Sequence, residues 1–244
     1  MSILNFMGMD ITYLIFVLPA VLLSMIAQAM VKGRFAKYDK VASKRNMTGA
    51  QAAALLLRKN EIVDVKIAHI RGSLTDNYNS SDKVLSLSDS TFNSTSIAAI
   101  GVAAHETGHA IQHATGYGPL FLRKTLVPVA NFGSRFGPLM AVLGLVFGAT
   151  AQSSGLLQIC QIITDVGIFL YAAAVLFYLV TLPVEFNASR RALKILRETN
   201  TLDKDELYGV RKVLTAAAMT YVASALTALG SLIRLVLLSN RRRR

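Results

Sequence analysis

The chain has 244 residues, 53% of them hydrophobic and only 16% charged, with a mean hydropathy of +0.45. A soluble domain carries roughly 25% charged residues, so the composition excludes a purely soluble protein and points to a membrane protein with a soluble part. The net charge of +12 would suggest nucleic acid in a soluble chain, but beside lipid-spanning segments basic residues are topology signals, and no nucleic-acid partner is expected. The single cysteine, Cys160, excludes an intrachain disulfide framework and a four-cysteine zinc site.

Ile11 to Val31 is an uncharged run of 21 residues, about the length that spans a bilayer as a helix. It lacks a preceding basic region and a small-residue cleavage site, so it reads as a retained anchor, residues 1–31, rather than a secretory signal. Lys32, Arg34, Lys37, Lys40, Lys44 and Arg45 follow at once. The positive-inside bias then places the chain beyond residue 32 in the cytoplasm.

Residues 32–125 form a first soluble block. Thr48-Gly49-Ala50-Gln51 fits a capping box opening a helix to about Asn60. Val63 to Ile70 reads as a strand broken by Gly72-Ser73, Asp76 to Asp82 as a turn-rich loop, and Val84 to Ser88 as a second short strand. That second strand, just ahead of the next helix, is either an open edge able to take an extended peptide or a buried strand of a small sheet. Ser94 or Ser96 then caps a helix carrying Ala104-His105-Glu106-Thr107-Gly108-His109-Ala110-Ile111-Gln112-His113, and Gly116-Tyr117-Gly118-Pro119 stops it.

Two further uncharged stretches follow, Phe136 to Thr164, which contains the polar turn Ala149 to Gly155, and Val166 to Val184, and together they read as a helical hairpin within residues 126–184. Residues 185–212 return to the basic side with seven Lys and Arg from Arg190 to Lys212. The last apolar run, Val213 to Ile233, heads a segment 213–244 that ends in Arg241 to Arg244. A full crossing here would place those arginines outside, against the usual bias, so either the helix fails to cross or this end breaks the rule.

The central motif is His105-Glu106-Thr107-Gly108-His109. Residues four apart share one face of a helix, so the two imidazoles can close on one cation, with the Glu106 carboxylate beside its open position as a proton acceptor. Chance would produce the pattern on the order of 0.001 times per chain of this composition, and metal binding is the expected reading. A catalytic zinc needs a third protein ligand. His113 lies a further turn along the same helix, roughly 6 Å up the axis and too far for one tetrahedron, and His69 reads as an ordinary strand residue. Glu185, in Pro183-Val184-Glu185-Phe186-Asn187-Ala188-Ser189-Arg190-Arg191-Ala192, emerges from the hairpin on the histidine side. Spacing alone leaves it balanced between a ligand and a surface carboxylate beside Arg190 and Arg191. Asn187 and Ser189 are candidate supports for the glutamate or a histidine.

These blocks, with Leu74-Thr75-Asp76-Asn77-Tyr78 and Ala98 to Glu106, resemble the YugP-like neutral zinc metallopeptidases of bacterial membranes over nearly the whole chain. More distantly, the sequence is similar to the HtpX-like gluzincins, whose third ligand is a glutamate on a later helix. The resemblance implies a mainly α multi-pass membrane protein with a small α+β zincin-like cytoplasmic catalytic domain. It implies one Zn2+ held by His105, His109 and Glu185, with Glu106 as general base. It also shows two departures: the family carries Asp at position 187 and His at position 77, where this chain has Asn187 and Asn77. The expected activity is peptide-bond hydrolysis at the cytoplasmic face of the cell membrane, on peptide or membrane-protein substrates, with Tyr78, His113 and Arg190 as candidate oxyanion donors. The alternatives are an intramembrane-cleaving protease and a non-catalytic metal-binding scaffold. No oligomeric state is legible.

Overall fold

The computed structural model describes residues 11–242; the first ten residues of the expected 1–31 anchor and the last two of the arginine tail lie outside them. Four long helices dominate: α1 (Tyr13–Tyr38), α4 (Gly118–Thr150), α5 (Ser154–Glu198) and α6 (Lys204–Arg242). Each is long and apolar enough to cross a bilayer. Between α1 and α4 lie α2 (Gly49–Lys59), three strands, β1 (Lys66–Ile70), β2 (Asn77–Asn79) and β3 (Val84–Ser88), and α3 (Ile97–Ala114).

The chain divides into two compact units. One comprises the described parts of Met1–Ile26, Leu122–Leu182 and Tyr221–Arg244, and the other Ala27–Phe121 with Pro183–Thr220. In the first unit Ala141, Tyr171, Ala174, Val175, Ala228 and Leu235 form the packed interior. Large apolar side chains such as Phe147, Ile159 and Phe169 face outward, an arrangement suited to lipid rather than water. Here α1 and α6 run antiparallel, because Ser24 Oγ lies 3.3 Å from Thr227 Oγ1 while Arg234 sits 5.6 Å over the Tyr13 ring. The last helix therefore does not turn back. It continues in one piece to Arg242, passing the start of α1 at Arg234.

Hydropathy located the apolar stretches but not the helix ends. The helix α4 begins at Gly118, well before the uncharged run at Phe136, and α6 begins at Lys204, ahead of Val213. Lys and Arg are good helix formers, so a helix has no reason to stop where lipid does. For the same reason the second hairpin helix and the segment bearing Glu185 are one element, α5.

The second unit carries the small sheet. Its order is β1-β3-β2, with β1 parallel and β2 antiparallel to β3. Both edges of β3 are paired, so the open-edge reading of this strand is corrected: Leu85 and Leu87 are wholly buried and, among the described strands, the unpaired edges belong to β1 and β2. The loop expected over Asp76 to Asp82 contains β2, a strand hidden by its two asparagines, since pairing with β3 overrides their poor strand propensity. Thr48 and Gln51 close both bonds of the capping box on α2. Ser96 caps α3 by accepting from the Ala99 N–H, and Gly116 at φ +64° ends it in the left-handed region. Leu56 from α2, Leu85 and Leu87 from β3, Ile100 and Ala104 from α3, Ala192 and Leu196 from α5 and Val210 from α6 form a single apolar core.

Cys160 is buried, so reporter cysteines can be read against it. Ser153→Cys in the α4–α5 turn and Asn240→Cys near the end of α6 are expected to react with a membrane-impermeant maleimide from one side, and Lys59→Cys from the other. Labelling of Asn240→Cys from the Lys59→Cys side would show that α6 does not cross.

Candidate metal centre

His105 and His109 occupy successive turns of α3, with ring centroids 4.8 Å apart and planes at 85°. Between them stands Gly108, where a Cβ would lie 2.6 Å from the backbone oxygen of Ala188. No larger residue lets α3 and α5 come this close. The approach presses Glu185, only 2% exposed, against both rings: its Oε2 is 3.2 Å from His105 Nε2 and 3.5 Å from His109 Nε2. One ligand atom from each of the three residues lies within 4.8 Å of the others.

This donor set fits a metal ion. Tetrahedral zinc with N and O ligands at about 2.0–2.1 Å implies ligand-to-ligand edges of roughly 3.3–3.4 Å, and the two nitrogen–oxygen separations of 3.2 and 3.5 Å straddle that edge. Two imidazoles and one carboxylate are also ligand types that zinc accepts, leaving a fourth position for water or substrate.

The other nitrogens of the rings are held from behind. Ser189 Oγ lies 3.1 Å from His105 Nδ1, and Gln112 Oε1 lies 2.9 Å from His109 Nδ1. Of the two expected supports, Ser189 meets a histidine directly. Asn187 does not: its Oδ1 accepts from Gln112 Nε2 and from Arg191 Nε. Sequence reading missed Gln112, whose only signal was a polar residue three positions after His109 on a helix buried along most of its length.

Electrostatics separate the acidic groups. Burial pushes the Glu106 carboxyl above its ordinary range, against the opposing pull of His109 and His105. Burial acts in the same sense on Glu185, which lies past the uncharged run of α5, but hydrogen bonds from His105 and His109 outweigh it and hold this carboxyl well below the usual range. His109 is disfavoured as a cation by burial, yet Glu185 and Glu106 more than offset this and raise it.

The remaining candidates sit apart from the three-residue group. His113 Nδ1 pairs with Tyr78 OH at 2.9 Å, and His69 Nε2 lies 2.7 Å from Asp89 Oδ1. Arg190 is exposed.

Comparison with known proteins agrees with this chemistry. The family described as "Putative neutral zinc metallopeptidase" matches residues 13–240. The "Putative membrane protease YugP" of Bacillus subtilis (strain 168) is 42% identical over 226 residues, covering 93% of this chain and 96% of that protein. The chain therefore belongs to this zinc metallopeptidase family. No solved structure matches it.

If the three side chains form one site, Glu185→Ala leaves two imidazoles unable to retain the ion. Metal analysis of the purified full chain is expected to fall from about one equivalent to well below it, a loss beyond the roughly 10–100-fold cost of removing a supporting contact. Full retention of the metal by Glu185→Ala would remove this residue from the site.

Proposed function

We propose that the chain is a membrane-bound zinc metalloendopeptidase that hydrolyses peptide bonds at the cytoplasmic membrane surface, with segments of membrane proteins among its substrates. The observation that carries the reading is the convergence of His105, His109 and Glu185 from two helices, with Glu106 next to the first histidine. These three residues would hold one zinc ion, which when bound supplies a Lewis acid that polarises a carbonyl and makes water a nucleophile near neutral pH.

Glu106 acts as the proton carrier. It accepts a proton from the attacking water and delivers it to the leaving amine as the C–N bond breaks, so one water is consumed and no net proton is released by the residue. Burial raises its proton affinity, which brings a carboxylate closer to the operating pH, where a general base that must also act as an acid works best. The pair formed by Tyr78 on β2 and His113, one turn further along α3, supplies one further hydrogen-bond donor on the side of β2. The outer edge of β2 is unpaired among the described strands, and an extended peptide could add there as a further strand.

Cleavage at the surface rather than within lipid is favoured by the site helix itself. The motif lies on α3, which has 18 residues, opens with a serine cap and is not among the apolar candidate spans. Charge supports the cytoplasmic side: 13 Lys and Arg lie in residues 32–125 and 7 in 183–212, the two segments that contribute the site.

Glu106→Gln keeps the size of the side chain and removes the base. It is expected to retain zinc and to lower cleavage of an unfolded protein such as casein by roughly 10²–10⁴-fold. Chelation should abolish wild-type cleavage and added zinc should restore it. A Glu106→Gln protein that keeps zinc and cleaves at the wild-type rate would remove Glu106 as the base.

A further inference from the structure

The side chain of Gln112 is completely buried, and a buried primary amide is costly unless its hydrogen-bonding groups are used. Here they are used in one sense only. The carbonyl oxygen of Val184 can only accept, and Arg191 Nε can only donate. The Asn187 atom 2.8 Å from Arg191 Nε is therefore its oxygen. The Gln112 atom that lies 2.8 Å from Val184 O and 3.0 Å from that Asn187 oxygen must be the amide nitrogen. Its other atom, 2.9 Å from His109 Nδ1, is then an oxygen, which needs an N–H opposite it.

We infer that Gln112 is a positioning residue that keeps a proton on His109 Nδ1 and so leaves Nε2, the nitrogen that faces Glu185, as the one available to a metal ion, and that ties His109 to the stretch of α5 carrying Glu185. A free imidazole can carry its proton on either nitrogen, and only one arrangement leaves Nε2 as a ligand. The orientation is set by two groups that cannot reverse their roles, Val184 O and Arg191 Nε. One amide thus controls the rotamer and tautomer of a ligand on α3 while gripping α5 one residue before and two residues after Glu185. His105 is treated differently: its Nδ1 meets the Ser189 hydroxyl, which can donate or accept and so does not by itself select a tautomer.

This inference rests on the metallopeptidase reading, and its test separates the two. The probes are zinc affinity of the detergent-solubilised full chain, measured by competition with a chromophoric chelator, the visible spectrum of the cobalt-loaded protein, and thermal unfolding of the metal-free form. Gln112→Leu is expected to bind zinc about 10–100-fold more weakly and to change the cobalt bands, beyond any change in metal-free stability. Asn187→Leu removes one of the two anchors and is expected to weaken zinc by about tenfold, the lower end of that range. Asn187→Asp keeps the accepting oxygen and is expected to leave affinity undiminished. Wild-type affinity and cobalt spectrum in Gln112→Leu would overturn the inference. If that variant does not fold, equal zinc affinities in Asn187→Leu and Asn187→Asp would overturn it instead. Failure of the wild-type chain to bind zinc at all would overturn the metallopeptidase reading.

Discussion

A nearly inaccessible carboxylate facing two imidazoles is the constraint on which the second unit turns. Taking Glu185 out of water costs several kcal/mol after relaxation unless positive charge and hydrogen bonds replace its hydration. The helices nevertheless bring it there, through the missing side chain at Gly108 and through the apolar core to which Ile100 and Ala104 on one helix and Ala192 and Leu196 on the other all belong. Hydrophobic packing therefore fixes a geometry that the polar groups alone would resist. A cation shared by Nε2 of both histidines and Oε2 of Glu185 relieves that resistance, whether it is a proton or a metal ion.

The two acidic residues of the site meet opposite fates. Glu185, against both rings, is held ionised, while Glu106, buried without an equally close partner among the histidines, is driven toward its neutral form. Environments that push neighbouring carboxyls apart in this way assign them different jobs. A permanently charged group suits a cation ligand. A group whose proton affinity is raised by burial suits proton transfer. The same division fits position, since Glu185 faces the Nε2 atoms of both histidines and Glu106 is next in sequence to His105.

Much of this was legible before any coordinates. Lipid-length apolar runs, the Thr48 and Ser96 caps and the glycine stop at Gly116 are local signals, and local physics decided them. The two histidines and Glu106 could be paired because a helix repeats in a known way. Helix ends were not legible, because lysines and arginines extend α4 and α6 past the apolar stretches without breaking them. The strand β2 was hidden in a run of turn-forming residues and exists only because β3 is there to pair with it. Glu185 could be favoured over an ordinary surface carboxylate only by resemblance to other proteins. Gln112 was not distinguishable at all, since its role depends on Val184, Asn187 and Arg191, which lie 72 to 79 positions away in the chain.

That separation has a consequence for when the site exists. His105 and Glu185 are 80 positions apart, and all of α4 and the greater part of α5 are made between them. No partly folded chain that lacks α5 holds the three donors together. The entropy of closing so long a loop grows only slowly with its length, and α3 and α5 can recover it through their apolar contact. Any cation that binds the assembled donors more tightly than the separated ones adds its binding free energy to that docking. On the proposed function this order of events has a use: the groups that would cut a neighbouring chain come into register only after α3 and α5 have packed.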